Sequence, residues 1–330
     1  MNFVEKENQK RTSQYKKNHD EQKFLQELNL KLCNSDAQNL DVDHPSIYIF
    51  GLPRSGTTLT YQLLSFNLDI GYVNNLIAKF WLAPVQGIKL SQSLSQFQGH
   101  ADYQSDRGKS LSLFGPHEFS YFWQHWLKIE TERDMVRFNT EEGADRIDWN
   151  DLKLKLKMMQ AAFGKGLVHK TMYAGNFIRE FHIHSPMSLF IYVERAFEDV
   201  ALSILESRIK YYGNKDEWWA TLPPNYYEVS EKPFDEQITH QIYGLKRAYE
   251  EAISLIPTQN VIRINYTDIC SDPTAFLRTI RDRLRSLYGY EIGVVEEHPK
   301  SFKFKTYETN KFDAMQKKVL HTLKAFGEPE

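Results

Sequence analysis

The sequence predicts a three-layer α/β fold with a central, mainly parallel β-sheet. Short apolar runs recur along the chain between turn residues, as in IYIF at 47–50, and they read as buried strands. Longer segments between these runs place apolar residues at helical spacing. The first strand is followed by a glycine-containing turn and a helix, which is the opening half of a βαβ unit. Strands and helices alternate in this way only in the α/β class.

Taken in chain order, the apolar pattern predicts a sheet whose strands are separated by helices. A helix stop at Pro257 and a cap followed by a first-turn proline at 271–273 support this order. Residues 86–117 are rich in Ser, Gln and Gly without regular spacing, and they are predicted to be loops. The predicted strands are 47–50, 167–169, 189–193 and 261–264, and the predicted helices include 57–66, 149–163, 200–205 and 238–253.

The length of 330 residues is compatible with two domains or with one large α/β domain. Residues 1–44 carry 7 basic and 8 acidic residues and predict a polar N-terminal extension. Within it, Phe24, Leu25, Leu28 and Leu32 share one helical face, which predicts a short docking helix after a frayed tail. Residues 45–330 are expected to form a single domain, with loop or lid insertions near 86–117 and near the aromatic segment 209–235.

Composition excludes several classes of protein. A hydrophobic content of 41% with 25% charged residues excludes wholesale disorder. The chain has 41 basic and 43 acidic residues, which argues against a nucleic-acid partner or a polybasic membrane anchor. Two cysteines are too few for a disulfide framework, and no apolar run reaches the length of a membrane span. We therefore expect a cytoplasmic protein with no membrane span.

The segment GLPRSGTT at 51–58 has the features of a phosphate-binding loop. It follows a strand and opens a helix, so its backbone N–H groups and the helix N-terminus favour an anion. Its spacing matches G-x-x-x-x-G-K-[ST], but Thr57 stands where the lysine should be. The strand at 189–193 is followed by Glu194 and Arg195 instead of the magnesium-binding Asp of nucleoside triphosphatases. The loop is therefore predicted to bind phosphate but is poorly equipped for ATP chemistry.

The stretch IFGLPRSGTTL at 49–59 closely resembles the 5′-phosphosulfate loop of sulfotransferases, in which Arg or Lys stands two residues before the second Gly. Arg54 occupies that position here. The resemblance implies that the loop binds the 5′-phosphosulfate of PAPS, and that Arg54 also assists the reaction. The residues it assigns to this part of the donor site are Pro53, Arg54, Ser55, Gly56, Thr57 and Thr58.

Two further stretches are similar to the same family. LFIYVERAFEDVALS at 189–203 resembles the segment whose Arg and Ser hold the 3′-phosphate of PAPS, here Arg195 and Ser203. A guanidinium and a hydroxyl can converge on one phosphate. Ala196 and Phe197 replace the usual Asp-Pro or Asn-Pro. VIRINYTD at 261–268 resembles the segment whose Tyr, here Tyr266, lies near the nucleotide.

The resemblance covers roughly residues 46–290 and implies a PAPS-dependent sulfotransferase with the P-loop-like fold of that family. Such an enzyme moves a sulfuryl group in line to a hydroxyl of a small-molecule or glycan-like acceptor, releases PAP and requires no metal. The glycine spacing keeps a P-loop nucleotide kinase as one alternative. A non-catalytic nucleotide-binding protein is another, because the bases usual in the family are replaced.

The residues that would act on the acceptor differ from those usual in the family. Lys170 stands 25 residues before Arg195, at a distance where cytosolic members of the family have Lys-Thr-His. The resemblance implies that Lys170 supports the sulfuryl group during transfer. Met172 replaces the base His of that motif. Other members have an acidic base after the first helix, where this chain has YVNN at 72–75.

An adjacent His117 and Glu118 offer the remaining base. Of these two we favour Glu118, with His117 next and His169 third. The alternative is that His117 is an ordinary loop histidine and Glu118 a carboxylate at a helix N-terminus.

Overall fold

A computed structural model gives the fold of the chain over most of its length. The residues described below are 3–33, 43–99, 101, 103–106, 109–137, 141–295, 298–304, 307 and 313–327. In this part of the chain, no helix is both long enough and apolar enough to cross a bilayer.

The centre of the fold is a five-stranded sheet in which every neighbouring pair is parallel. Its order is β2-β5-β1-β6-β7, so the chain crosses from one side of β1 to the other. A separate two-stranded antiparallel hairpin is formed by β3 and β4. The strands are β1 (Ser46–Gly51), β2 (Gly71–Tyr72), β3 (Ser105–Asp106), β4 (Lys109–Ser110), β5 (Leu167–Lys170), β6 (Ser188–Glu194) and β7 (Val261–Asn265).

Helices cover both faces of the sheet, which explains why its strands are apolar throughout. Along β1, Ile47 and Ile49 face one helical layer, while Tyr48 and Phe50 face the other. The layer against Ile47 contains α3, α14 and α15, and the opposite layer includes α8, α10, α11, α13 and α16. The three-layer α/β/α prediction is confirmed.

The helices have these bounds: α1 (Phe3–Lys10), α2 (His19–Leu32), α3 (Thr57–Asn67), α4 (Pro84–Ser93), α5 (Ser120–Trp126), α6 (Glu132–Met135), α7 (Glu141–Asp145), α8 (Trp149–Phe163), α9 (Tyr173–Asn176), α10 (Ile178–His184), α11 (Phe197–Tyr212), α12 (Tyr226–Val229), α13 (Phe234–Ile253), α14 (Tyr266–Ser271), α15 (Pro273–Tyr288) and α16 (Ala314–Gly327). Short 3₁₀ turns occupy Ser13–Tyr15, Ile77–Lys79, Ser95–Phe97 and Thr258–Asn260.

The segment predicted as loop between 86 and 117 contains regular structure. Helix α4 begins at Pro84, whose fixed φ suits the first turn of a helix, and it packs against α8. The β3–β4 hairpin follows it. The prediction of loops was wrong for α4 because Val85 and Ile88 lie on one face among many polar residues, and the polar composition concealed that face.

The aromatic segment 209–235 is also partly helical. It starts in the last turn of α11, contains α12, and ends in the first turn of α13. Residues 213–225, between α11 and α12, and residues 230–233, between α12 and α13, contain neither helix nor strand.

Residues 3–15 contain a helix and a turn where a frayed tail was expected. Helix α1 and the turn at Ser13–Tyr15 lie against α11, with the Thr12 N–H donating to the Tyr211 carbonyl over 2.8 Å. Tyr15 stacks on the ring of Tyr211, with centroids 4.1 Å apart. Helix α2 is present as predicted, but Phe24 is 62% exposed and does not belong to its buried face. These contacts form between distant parts of the chain, so local sequence did not indicate them.

A buried amide fastens α2 to the rest of the protein. Asn29 lies in α2 with its side chain fully buried, and its Nδ2 donates to the Lys79 carbonyl over 2.8 Å. Its Oδ1 accepts from the Leu82 N–H, also over 2.8 Å. Two backbone groups of the connection before α4 therefore depend on this one side chain.

We predict that Asn29→Ala loosens the N-terminal extension. The change leaves a partly buried N–H of Leu82 and a partly buried carbonyl of Lys79 without this partner, which costs about 1–3 kcal/mol. Hydrogen–deuterium exchange of the α2 amides should therefore accelerate about tenfold or more, while amides in the sheet exchange as before. Gln26→Ala, on the exposed side of the same helix, is the control. Equal exchange in both variants would contradict the role given to Asn29.

Candidate active site

A cavity of about 920 Å³ lies next to the loop that joins β1 to α3. The loop forms one wall, together with Lys170 at the end of β5 and Arg195 after β6. These positions lie at the carboxyl ends of parallel strands, where α/β proteins bind their ligands. Other walls come from the N-terminal extension, the start of α5 and the segment between α11 and α13.

The loop exposes the first turn of α3 to this cavity. The N-cap of the helix is Gly56 with a φ of 106°, so no side chain caps the N–H groups of that turn. Arg54 also has a positive φ, 70°, which is uncommon for a residue with a side chain. A helix N-terminus left open in this way is suited to binding an anion.

Tyr266 and Arg195 enclose the loop from the side of β6 and β7. A side chain at Gly56 would collide with the ring of Tyr266, so only glycine fits between helix and ring. The guanidinium of Arg195 lies 5.0 Å from the centroid of the same ring. Its Nη1 also donates to the Arg54 carbonyl over 3.1 Å. Arg195 is thereby held at the edge of the loop.

Arg54 reaches across to α11. Its Nε donates to the Ser203 hydroxyl over 2.9 Å. Ser203 itself is buried, so it lies behind Arg54 as seen from the cavity. The side chain of Ser55 is also fully buried, and its N–H closes the turn by donating to the Leu52 carbonyl over 3.1 Å. The structure thus brings Arg54, Arg195, Ser203 and Tyr266 together around the loop, although Ser55 does not line the cavity.

Lys170 connects the loop to the opposite wall. The side chain is only 6% exposed, and its Nζ donates to the Thr58 hydroxyl over 2.8 Å. The same ammonium forms an ion pair with Glu118, which precedes α5. A buried charge is costly unless it is paired and hydrogen-bonded, and Lys170 has both kinds of partner.

The carboxylate of Glu118 is held in its ionised form. Burial raises the pKa of the Glu118 carboxyl, but the charge and the hydrogen bond of Lys170 outweigh burial, so the pKa lies below its usual range. Lys109 and His117 add smaller effects in the same direction. The side chain retains 36% exposure and lines the cavity, so it can meet a ligand there.

His117 has a different chemical state. Its Nδ1 accepts a hydrogen bond of 2.8 Å from the N–H of Phe119, a residue with a φ of 56°. Burial lowers the pKa of His117 to about 4. The ring is therefore neutral near pH 7, and because Nδ1 is an acceptor its proton resides on Nε2. In this tautomer His117 offers a donor to the cavity and no free basic nitrogen.

His169 is placed away from the cavity. It is 2% exposed on β5, with its ring 5.4 Å from Tyr48 and 5.3 Å from Trp123 between centroids. It is not among the residues that line the cavity. Its position is that of a core strand residue.

The remaining walls are aromatic and basic. The segment 209–235 contributes several rings, and α5 contributes two. The aromatic lining comprises Trp81, Tyr121, Trp123, Tyr173, Tyr211, Tyr212, Trp218, Trp219, Tyr226 and Tyr266. Sequence reasoning missed three cations of this wall, Arg11, Lys17 and Lys109. The basic run KRTSQYKK at 10–17 was the available signal, but such runs are usually solvated.

A family model described as "Sulfotransferase family" matches residues 45–286. This chain belongs to the sulfotransferase family. The matched range contains the loop, Lys170, Arg195, Ser203 and Tyr266, whereas the N-terminal extension lies outside it. No curated protein matches the sequence.

Several solved sulfotransferase structures are similar to this chain in fold. Sulfotransferase STF9 from Mycobacterium avium shares 14% identity at a TM-score of 0.50, over 94% of this chain and 82% of that one. STF1 from Mycobacterium tuberculosis H37Rv shares 12% identity at a TM-score of 0.46, over 80% and 72%. The sulfotransferase domain from the curacin biosynthetic pathway shares 16% identity at a TM-score of 0.40, over 74% and 75%. At this identity the match to STF9 supports the fold alone.

We predict that His169 makes the protein sensitive to acid. Burial lowers the pKa of His169 to about 3, from a usual value of 6.5. Below pH 6.5 the unfolded state therefore binds more protons than the folded state, so stability is complete above that pH and falls as the pH drops. His169→Phe removes this effect, so wild type should lose about 2 kcal/mol more than the variant between pH 8 and pH 5.

Urea unfolding at the two pH values measures this difference directly. Carboxylates and His117 titrate in both proteins, so their effects cancel in the comparison. Parallel losses of stability in wild type and variant would show that His169 titrates normally in the folded protein.

Proposed function

We propose that this sulfotransferase-family protein moves a sulfuryl group from PAPS to a hydroxyl of its acceptor, which is a small molecule or a carbohydrate. The observation that carries the proposal is one shared cavity. An anion-binding loop with Arg54 and Arg195 lies on one side of it, and the Lys170–Glu118 pair faces the same space. These are the two sets of groups that transfer from a phosphosulfate to a hydroxyl requires.

The donor side has the groups that fit a 3′,5′-bisphosphorylated nucleotide. The open N-terminus of α3 suits the 5′-phosphate, and Arg54 lies beside it. Arg195 would hold the 3′-phosphate, with Tyr266 as the adjacent ring, while Ser203 would act behind the loop by accepting from Arg54. When bound, PAPS supplies the sulfuryl group as a mixed phosphate–sulfate anhydride.

Lys170 would stabilise charge at the point of transfer. Its ammonium already donates to Thr58 in the first turn of α3, next to the loop that is assigned to the 5′-phosphate. A buried cation at this position favours the negative charge that develops on the bridging and leaving oxygens. It needs no water shell to do so, because the protein already solvates it.

Glu118 would take the proton of the acceptor hydroxyl. Its carboxylate is ionised and lines the cavity beside Lys170. Lys170 lowers the pKa of Glu118, so contact of the ammonium with donor oxygens would weaken that effect and leave a more basic carboxylate. His117 would act as a positioning residue, since its Nδ1 holds the turn that leads from Glu118 into α5.

We predict that Arg195→Ala weakens PAP binding by about 2–4 kcal/mol, because a charged partner of the 3′-phosphate is lost. ADP has no 3′-phosphate, so it should bind wild type and variant alike. Isothermal titration calorimetry with both nucleotides measures the two effects. Arg263→Ala is the matched control, because Arg263 pairs with Glu250 outside the cavity. Equal losses for PAP and ADP would make Arg195 structural and overturn the donor assignment.

We predict that Glu118→Gln lowers kcat by about 10²–10⁴, the usual cost of removing a general base, while PAP affinity stays near that of wild type. Transfer of labelled sulfate from PAPS to a panel of hydroxyl acceptors measures kcat. His117→Asn retains an oxygen that can accept from Phe119, so it should affect turnover much less.

Two further variants make this result specific. Glu250→Gln removes a carboxylate outside the cavity and should leave turnover unchanged. His117→Ala tests whether His117 is the base or only a positioning residue. If His117 were the base, this variant would lose as much kcat as Glu118→Gln. Turnover within about threefold of wild type in both 117 and 118 variants would show that neither residue is the base.

A further inference from the structure

Three basic side chains lie together on the wall formed by the N-terminal extension and the β3–β4 hairpin. Arg11 and Lys17 come from the extension, and Lys109 comes from β4. All three line the cavity that also contains Glu118. We refer to Arg11, Lys17 and Lys109 as the cationic wall.

The charges of the cationic wall repel one another. Burial, together with the charges of Arg11 and Lys109, lowers the pKa of Lys17 to about 7. Burial and Arg11 lower the pKa of Lys109 as well, against smaller opposing effects of Glu118 and Asp106. Grouping three such side chains inside a cavity is unfavourable unless an anion joins them.

No carboxylate in the described part of the chain pairs with the cationic wall. The nitrogens Nε and Nη1 of Arg11 are buried without a hydrogen-bond partner. The carboxylates nearby have other partners, since Asp106 pairs with Lys210 and Glu217 pairs with Lys10. Glu7 pairs with Lys10 as well. Among the residues that the structure describes, none of these three cations therefore forms a salt bridge with a carboxylate.

Aromatic rings accompany these cations. The Nζ of Lys17 lies 4.0 Å from the ring centroid of Tyr121 and donates to the hydroxyl of the same residue. The Nζ of Lys109 lies 5.5 Å from the centroid of Tyr211. Tyr121 stands in the first turn of α5, three residues after Glu118. The charge of Lys109 also lowers the pKa of Glu118, so the proposed base and the cations border the same space.

We propose that the cationic wall binds an anionic group of the acceptor, so that the enzyme sulfates a hydroxyl compound that already carries a carboxylate, sulfate or phosphate. This inference rests on the proposed function and specifies its substrate class. The anionic group lies against Arg11, Lys17 and Lys109, and the hydroxyl lies at Glu118. Charge-assisted hydrogen bonds then fix the acceptor at one end while its hydroxyl is aligned at the other.

Inorganic sulfate is the first probe of the wall. Wild type is titrated with sulfate by calorimetry, with and without saturating PAP, which occupies the loop in the proposed donor site. We expect sulfate to bind the PAP-loaded protein. The double variant that combines Arg11→Gln and Lys17→Gln should weaken this binding about tenfold or more. Lys109→Gln should weaken it as well. Lys23→Gln, an exposed change on α2 outside the cavity, should bind sulfate like wild type.

Matched acceptors then test whether the anion belongs to the acceptor. Transfer from PAPS to 4-hydroxybenzoate is compared with transfer to 4-hydroxybenzamide, which has the same ring and hydroxyl without the charge. We expect kcat/KM to favour the acid about tenfold or more in wild type and in Lys23→Gln, and the preference to vanish in Arg11→Gln with Lys17→Gln. PAP affinity of each variant reports its folding.

The outcomes separate the two proposals. Sulfate that binds wild type no better than the Arg11→Gln, Lys17→Gln variant overturns the cationic wall, whatever PAP does. Sulfate binding at the wall combined with an unchanged ratio of acid to amide shows a free-anion site and overturns its role in acceptor choice. A protein that binds sulfate at the wall but does not bind PAP retains the wall and overturns the proposed donor.

Discussion

The buried ammonium of Lys170 is the contact on which the arrangement of the site depends. It donates to Thr58 in the first turn of α3 and pairs with Glu118 ahead of α5. A charge with 6% exposure needs both partners, so it holds the loop between β1 and α3 and the opposite wall at a set separation. The strand that carries Lys170 is central to the same constraint, because β5 pairs directly with β1 and the loop begins where β1 ends.

The sheet fixes the second half of the site in the same manner. β6 pairs with β1 on its other side, and it delivers Arg195 to the carbonyl of Arg54. β7 then pairs with β6 and delivers Tyr266 to Gly56. Lys170, Arg195 and Tyr266 lie at or directly after the ends of parallel strands, so the strand order determines which of these three side chains meet. The positive φ values of Arg54 and Gly56 complete the loop at the centre of this arrangement.

Much of this could be predicted from sequence because its signals are local. The run at 47–50 and the glycines at 51 and 56 specify a strand, a turn and a helix, and the structure contains all three. Helix α4 and the ordered N-terminal extension could not be predicted in this way. Their apolar faces are narrow, and the extension is held by contacts such as Thr12 with Tyr211, almost 200 positions away in the chain. The cations Arg11 and Lys17 belong to that extension, so their burial was equally hidden.

Asn29 attaches α2 to the rest of the protein by side-chain hydrogen bonds, so the N-terminal segment is held separately from the sheet. The residues that surround the loop lie within 45–286, on the strands of the sheet and on the helices that follow them. A change in one of these strands disturbs the neighbouring strands as well. Arg11 and Lys17 lie before residue 45, on a segment that crosses the cavity without joining the sheet. Substitutions in this segment can therefore accumulate while the geometry of the loop between β1 and α3 stays unchanged. Under the acceptor proposal above, the contribution of Arg11 and Lys17 to acceptor preference can therefore diverge without a change in the loop, because these two residues precede the matched range.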